Sequence, residues 1–556
     1  MNPLASSVPF RLVVLGLGLS AAPLLAQMPP VPAPVENPTT AEKVLLGKAL
    51  FWDEQLSSDD SVACGTCHMP EAGGADPRTV SAIHPGADGL FGSEDDVFGS
   101  PGVAHQDSNR DFAAAGAFGF DVQVTGRVAP SNLGVAFQSE LFWDGRAGNS
   151  FLDPETGGVV VAVGGALESQ AVGPILSSVE MAHAGRTWAD VRQKLVAAEP
   201  LRLATDLPAD LAAALTPGTG YPALFAAAFG DPNITAARIG MALAAYQRTL
   251  VPDQTPFDSF RKGDTSALTP QQARGLQLFE TSANCAVCHP APFFSDDDFH
   301  NLGLRPNAED TGRAGHSGVL AELGAFKTPT LRNAGLRPRL FHNGQSPGLG
   351  SPDQISDVRS VANVYLRGGG ADLSNIDPFL VPLTTQGLNL QDLAHVLDFV
   401  QHGLTDPRAA NGLPPFDHPT LRSHVMAPSA TFGPALAGIR EPGFVATAPT
   451  FLGNDDWSLG LHGGDGDTLA AVFYSLTART PAAVFLGIPV NIGPESDAVG
   501  FVLRGSPGTA GVATWHLPIP KDPVLQDLSL YLQLFTLDAG APIGIAASTG
   551  LEVIAR

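Results

Sequence analysis

Cysteine is scarce in this sequence, four among 556 residues, too few for a disulfide-stapled scaffold of this length. Methionine is scarce too. Met1, Met28, Met69, Met181, Met241 and Met426 are all there are, so no thioether lies between residues 242 and 425. Positive charge is in deficit: 31 Lys and Arg stand against 55 Asp and Glu, a net charge of −24. That balance argues against a nucleic-acid partner. It suits a solvated acidic exterior, or the docking of a basic electron donor. Long apolar runs are missing after residue 30, so no later segment approaches the roughly 18 residues that a membrane helix requires.

The one sizeable apolar run covers residues 12–26, follows Arg11 and ends at the small-residue cleavage point Ala26-Gln27. It is short for a membrane span and reads as an export signal over residues 1–26. The bulky Leu24 leaves retention as an anchor as the alternative. The mature protein is therefore expected in the periplasm or secreted, with no membrane span once the signal is removed. Residues 27–38 are Pro-rich and read as a flexible leader.

All four cysteines fall in two words, Cys64-Gly65-Thr66-Cys67-His68 and Cys285-Ala286-Val287-Cys288-His289. Cys-x-x-Cys-His is the attachment signature of c-type haem: two thiols add across the vinyl groups, and the adjacent imidazole reaches the iron. A disulfide, a zinc knuckle or a thioredoxin-type motif would use the cysteine pairs but gives no reason for a His after both. Two covalently bound haem c groups are predicted, with His68 and His289 as axial ligands.

Residues 39–252 read as a first unit. Thr40 caps a helix whose Leu45, Leu46, Ala49 and Leu50 share one face, and this helix leads to the first motif. Residues 78–127, rich in Gly and Asp, read as an elaborated loop rather than core. Helical patterns resume over residues 187–198, 209–215, 221–229 and 235–250. A second unit, residues 253–415, repeats the order: Thr269-Pro270 opens a helix, the second motif follows, and residues 389–404 form a closing amphipathic helix. Residues 430–556 change character. Residues 484–492, 498–504 and 528–535 are strand-like, with Leu528, Leu530, Leu532 and Leu534 alternating. The predicted fold class is mainly α: two tandem cytochrome c-like helical haem domains with long loops, plus a small C-terminal β-rich module.

Several words around the motifs carry a family resemblance. Gly47-Lys48-Ala49-Leu50-Phe51-Trp52-Asp53 precedes the first motif. Phe142-Trp143-Asp144-Gly145-Arg146-Ala147, Gln170-Ala171-Val172-Gly173-Pro174-Ile175 and Val179-Glu180-Met181 follow it. Phe299-His300-Asn301-Leu302-Gly303, Lys327-Thr328-Pro329-Thr330-Leu331-Arg332-Asn333 and Phe341-His342-Asn343-Gly344 lie beyond the second. In order and spacing these resemble the bacterial di-haem cytochrome c peroxidase family, which includes the enzyme that forms tryptophan tryptophylquinone in a partner protein. The resemblance implies a peroxidatic first haem that reduces hydrogen peroxide to water. It implies a second haem fed by a small donor protein, a cytochrome c or a cupredoxin, and is compatible with a homodimer. Glu180 then matches the distal acid–base group, Gln170 the distal amide, and Trp143 the tryptophan between the haems, although a packed core aromatic is the plain alternative. Arg146 and Arg332 are candidates to grip haem propionates bidentately.

The resemblance also bears on the remaining ligands. In the peroxidases a His 16 residues beyond the first axial His caps the resting haem; here that residue is His84. A surface role is the alternative, and His105 is in reserve. At the second haem the peroxidases use Met and the quinone-forming enzyme uses Tyr. With no Met in reach, Tyr365 takes that place, and a phenolate lowers the potential relative to a thioether; a merely packed Tyr is the alternative. The family's interdomain Ca²⁺ takes one Asn side chain, and that position, before Ala129-Pro130-Ser131, is Val128. A separate acidic loop with Asp88, Asp95 and Asp96 could bind Ca²⁺ through clustered oxygens, or be plain solvated loop. The activity expected is a di-haem peroxidase. The alternatives are peroxide-dependent oxidation of a protein or organic substrate through a His/Tyr-ligated second haem, and a non-enzymatic electron carrier.

Overall fold

The helix Ala41–Phe51 begins where the Thr40 side chain accepts the Lys43 amide, satisfying one of the orphan donors of a first turn. It crosses the helix Ala236–Gln247 at Gly47, where a Cβ would overlap the Ala242 carbonyl oxygen. The second unit repeats this device. The helix Pro270–Glu280, opened by a Thr269–Gln272 capping box, meets Leu390–Asp398 at Gly275, where a Cβ would overlap the His395 carbonyl oxygen. Only glycine allows backbones this close. Each crossing leads into one Cys-x-x-Cys-His turn.

A computed structural model describes residues 28–425, 429–507 and 509–556; the export signal expected over residues 1–26 lies outside them. Three apolar cores organise the described chain. The first gathers Leu46, Leu50, Phe51, Trp52, Leu243 and Tyr246; the second Phe257, Phe279, Phe294 and Phe399; the third Trp457, Leu459, Leu461, Val472, Leu532 and Leu534.

Several sequence expectations are corrected here. Helix makes up 28% of the chain and strand 19%, so "mainly α" describes the surroundings of the two motifs rather than the whole. Much of the rest is loop held by short strand pairs, such as Ile83–His84 with Val97–Phe98 and Phe299–His300 with Phe326–Lys327. The leader is anchored at its end: Asn37 is fully buried and donates to Glu168 Oε1 at 2.7 Å and to the Met241 carbonyl at 2.9 Å. Ala409, at the end of the second unit, and Phe416 and Leu421 beyond it pack in the first core, so the chain returns across the first unit before it reaches the strands.

Residues 78–127 also contribute core. Phe112 is 1% exposed and packs on Val445, its amide donates to Thr514 Oγ1 at 2.8 Å, and Arg110 pairs with Asp456 at 2.6 Å. The long loop is the platform on which the C-terminal strands sit.

Those strands form a five-stranded sheet in the order Ala430–Phe432, Ile545–Ile554, Ser529–Leu537, Leu469–Ser475, Asp497–Val502. A three-stranded sheet is built from Gly443–Val445, Ser458–Asp465 and Ala510–His516. Leu532 and Leu534 face the core, while Leu528 precedes its strand. Residues 484–492, expected as one strand, belong to a hairpin of Ala478–Phe485 with Ile488–Ile492. The turn is made by Leu486 and Gly487, both at positive φ, a single-glycine signal inside an otherwise strand-like run.

Candidate functional site

Cys64–Cys67 forms one helical turn, held by the Ala63 amide donating to Thr66 Oγ1 at 2.9 Å. His68 follows, and its Nδ1–H donates to the Gly74 carbonyl at 3.0 Å. In the second motif the His289 Nδ1–H donates to the Phe294 carbonyl at 2.9 Å. A carbonyl only accepts, so both rings carry hydrogen on Nδ1 and leave the Nε2 lone pair for a metal. Burial holds both imidazoles below their ordinary pKa, in the neutral ligand form. Burial likewise pushes the Cys64 and Cys285 thiols up to about 12.

A cavity opens at each motif. The second brings Cys285, Cys288, His289 and Tyr365 together among Phe279, Leu340, Val361 and Val396. The first holds His68 with Leu141, Phe142, Gln170 and Gln247. Trp143, Lys327, Thr328 and Pro329 border both. Sulfur and a free imidazole nitrogen at the rim of an apolar slot are what a covalently held porphyrin requires; the second cavity has both in its wall, and in the first His68 lines the wall while Cys64 and Cys67 stand on the adjoining turn, so the residues fit that group. Trp143 is 6% exposed; its Nε1–H donates to the Val128 carbonyl at 2.7 Å, and its own carbonyl accepts the Lys327 amide at 2.8 Å. His342 stands edge-on to Trp143 and stacks on Phe326, ring centroids 3.5 Å apart. Burial drives His342 down to about 3, so it stays neutral.

Tyr365 sits on the helix Val361–Arg367 and faces the second cavity. Burial, ahead of the neighbouring thiols, keeps its phenol protonated well above the ordinary range. Glu180 is not part of the first cavity's wall, but its charge is felt at both Cys64 and Cys67, which puts it beside the motif. Burial raises its carboxyl, opposed by the Ser177 hydroxyl and the charge of Arg146. Arg146 lies 3.6 Å over the Phe142 ring and pairs with Asp144 at 2.9 Å.

Other candidates are placed elsewhere. Arg332 is engaged with Asp258 through both carboxylate oxygens at 2.8 Å, and with the Pro252 and Pro292 carbonyls, so its fork is not available to a propionate. His84 is paired in a strand with Val97 and lies edge-on to Phe118, away from the first cavity's wall, and His105 is not in that wall either. Strand pairing holds that loop. In the acidic loop, Asp95 accepts the Ala87 and Asp88 amides, Asp96 the Gly92 amide and Asp88 the Leu90 amide. These carboxylates close turns within the loop, and the second Asp96 oxygen, Oδ1, is buried without a partner. Among the described residues the three-ligand cluster is Cys288, Asp296 and His300, where Cys288 already belongs to the second motif.

Sequence reasoning missed Lys327 and Thr328 as shared wall, although both lie in a quoted word. It also missed Gln247 in the first cavity's wall, which carries no local signal.

Against known proteins, the family profile described as di-haem cytochrome c peroxidase matches residues 41–266. The methylamine utilization protein MauG of Methylophilus methylotrophus is 34% identical over 57% of this chain and 73% of its own length. The cytochrome-c peroxidase IdrP1 of Pseudomonas sp. (strain SCT) is 28% identical over 71% of this chain and 89% of that protein. The crystal structure of a MauG-like protein associated with microbial copper homeostasis overlaps with a TM-score of 0.49 at 24% identity, covering 70% of this chain and 96% of that one. Two motif cavities with a common wall, joined to a one-third-identical relative matched over most of its length, make this chain a member of the di-haem cytochrome c peroxidase family.

Proposed function

We propose that this chain reduces hydrogen peroxide to water at its first motif, using two covalently bound haem c groups and electrons from an external donor that enter at the second. The observation that carries the reading is the shared wall: Trp143 and the 327–329 segment border both cavities, so charge exchanged between the two sites has a short protein path. When bound, the haem irons supply the redox chemistry and the open position for peroxide.

The chain's own residues do the rest. His68 and His289 hold the groups through Nε2, and the four cysteines tether them. The Gln170 amide orients peroxide in the first cavity. Glu180, as a carboxylate, takes the proton from the nearer peroxide oxygen and returns it to the farther one, which leaves as water. Two further protons and two electrons from the donor complete the conversion to two waters. Trp143, its ring fixed by the bond to the Val128 carbonyl, holds the path between the sites. Tyr365 would hold the second group through its phenol oxygen, giving up its proton on binding, and as a phenolate would favour the ferric state.

Export signal and covalent haem together support a location outside the cytoplasm, where a small cytochrome c or cupredoxin would meet the acidic surface. No helix among the described residues is long and apolar enough to cross a membrane.

Two haems per chain and peroxide-dependent oxidation of a reduced small cytochrome are the expected results. A two-haem protein that leaves peroxide untouched at every reduction level would refute the reading. Tyr365→Met should raise the midpoint potential of the second haem, because a thioether favours ferrous iron relative to a phenolate. An unchanged second-haem absorption spectrum would remove Tyr365 from the ligand set.

A further inference from the structure

We propose that Arg337 is a built-in cation at the seam between the two units, and that its counter-ion is a carboxylate of the haem held by His68. This rests on the two-haem reading above.

Arg337 is 7% exposed, and among the described residues its side chain makes one hydrogen bond, from Nη2 to the Ala129 carbonyl at 3.0 Å. Among the described residues no carboxylate pairs with it, and burial alone accounts for its lowered pKa. Other buried guanidiniums are treated differently. Arg248 has Glu168 and Arg332 has Asp258, while Arg186 has three carbonyls and the attraction of Asp60. A guanidinium carries five N–H donors, and one carbonyl does not offset a buried charge. Removing a charge from water without a partner opposes folding strongly, so an anion absent from the polypeptide is called for.

The position says which anion. The Arg337 side chain packs on the turn that fixes His68: a Cβ at Gly73 would stand 2.9 Å from its Cγ, and the next residue, Gly74, holds the His68 ring. On the other side of that turn Asn132 is 5% exposed and lines the first cavity, and neither polar atom of its side chain has a partner. A Cβ at Gly74 would lie 2.6 Å from the Asn132 Oδ1. Two unsatisfied polar groups thus flank the loop that fixes the axial ligand, and a porphyrin anchored there brings two propionates.

The seam is closed by the Val128 amide on the His342 carbonyl at 2.8 Å and the Phe98 amide on the Asn343 carbonyl at 3.1 Å. Val128 offers no side-chain oxygen, and the adjacent Ala129 carbonyl already serves the guanidinium.

Redox titration of the holoenzyme and its Arg337→Gln and Arg337→Lys variants tests this. Loss of the cation should lower the midpoint potential of the first haem more than that of the second. Lysine should restore most of the shift, and EDTA should leave the wild-type potentials and melting temperature unchanged. The proposal is overturned by a Gln variant with the wild-type first-haem potential, or by a wild-type potential that follows added chloride or phosphate. A chelator-sensitive wild type overturns it as well. Should the Gln variant fail to fold, resonance Raman of the wild type decides: propionate-bending bands of the first haem at the position of a free carboxylate rule out the pairing. Fewer than two haems per chain would instead fail the parent reading.

Discussion

Glu180→Gln is expected to lower peroxide turnover by roughly 10²–10⁴-fold, the range a positioned proton shuttle contributes, with both haems retained. The amide keeps the size and hydrogen-bonding reach of the carboxyl but cannot accept and return a proton. The pH dependence supplies a second signature. Burial raises the Glu180 carboxyl above the ordinary glutamate range, and the carboxylate is the form that accepts the peroxide proton. Wild-type turnover should therefore fall on acidification through that raised pKa, and the Gln variant should lack this limb. Stability moves the opposite way: a raised pKa in the folded state means that the contribution of Glu180 is present below the unfolded pKa and is lost as the pH rises. Full turnover in the Gln variant, measured with a reduced small cytochrome, would take Glu180 out of the mechanism. Because the side chain stands off the cavity wall on the cysteine side, that outcome would point to Gln170 and ordered water as the proton path.

Asp258→Ala is expected to lose the most stability, about 3–5 kcal/mol. It leaves the Arg332 guanidinium, 1% exposed, without its carboxylate. For a unit of this size that is a fall in melting temperature of roughly 6–20 °C. Burial by itself would raise the Asp258 carboxyl, but Arg332 and Thr255 outweigh it and hold the group below the usual range. The pair's contribution is accordingly complete above the unfolded carboxylate pKa and lost as the pH falls through the lower folded value. Thermal melting at neutral and acidic pH checks both statements. A small shift in melting accompanied by a large shift in haem potential would contradict the pairing and return Arg332 to a propionate, as its word in the sequence suggested.

The haem chemistry was legible because it is local. Five adjacent residues bear the two sulfurs and the imidazole, and the same five occur twice. Helix starts at Thr40 and Thr269 were legible for the same reason, since a cap and the amide it accepts are three residues apart. The absence of methionine between residues 242 and 425 brought Tyr365 forward, and the folded chain turns it into the cavity of His289. The hairpin within residues 478–492 was missed because a strand-like composition continues through a turn marked by one glycine. The core residues of the 78–127 loop were missed because their partners, such as Val445 and Thr514, lie hundreds of positions away.

The two Cys-x-x-Cys-His words and the apolar run expected to act as an export signal are stretches of consecutive residues, and no knowledge of the fold was needed to read them. Charge pairing was not so written. Arg332 meets Asp258 across 74 positions, Arg337 arrives at a carbonyl 208 positions away with no acid paired to it among the described residues, and Trp143 joins residues 327–329 in one wall. A guanidinium binds whatever acceptor the packed chain brings to it, and burial decides how much that partner matters. Neither quantity exists until distant segments are in contact.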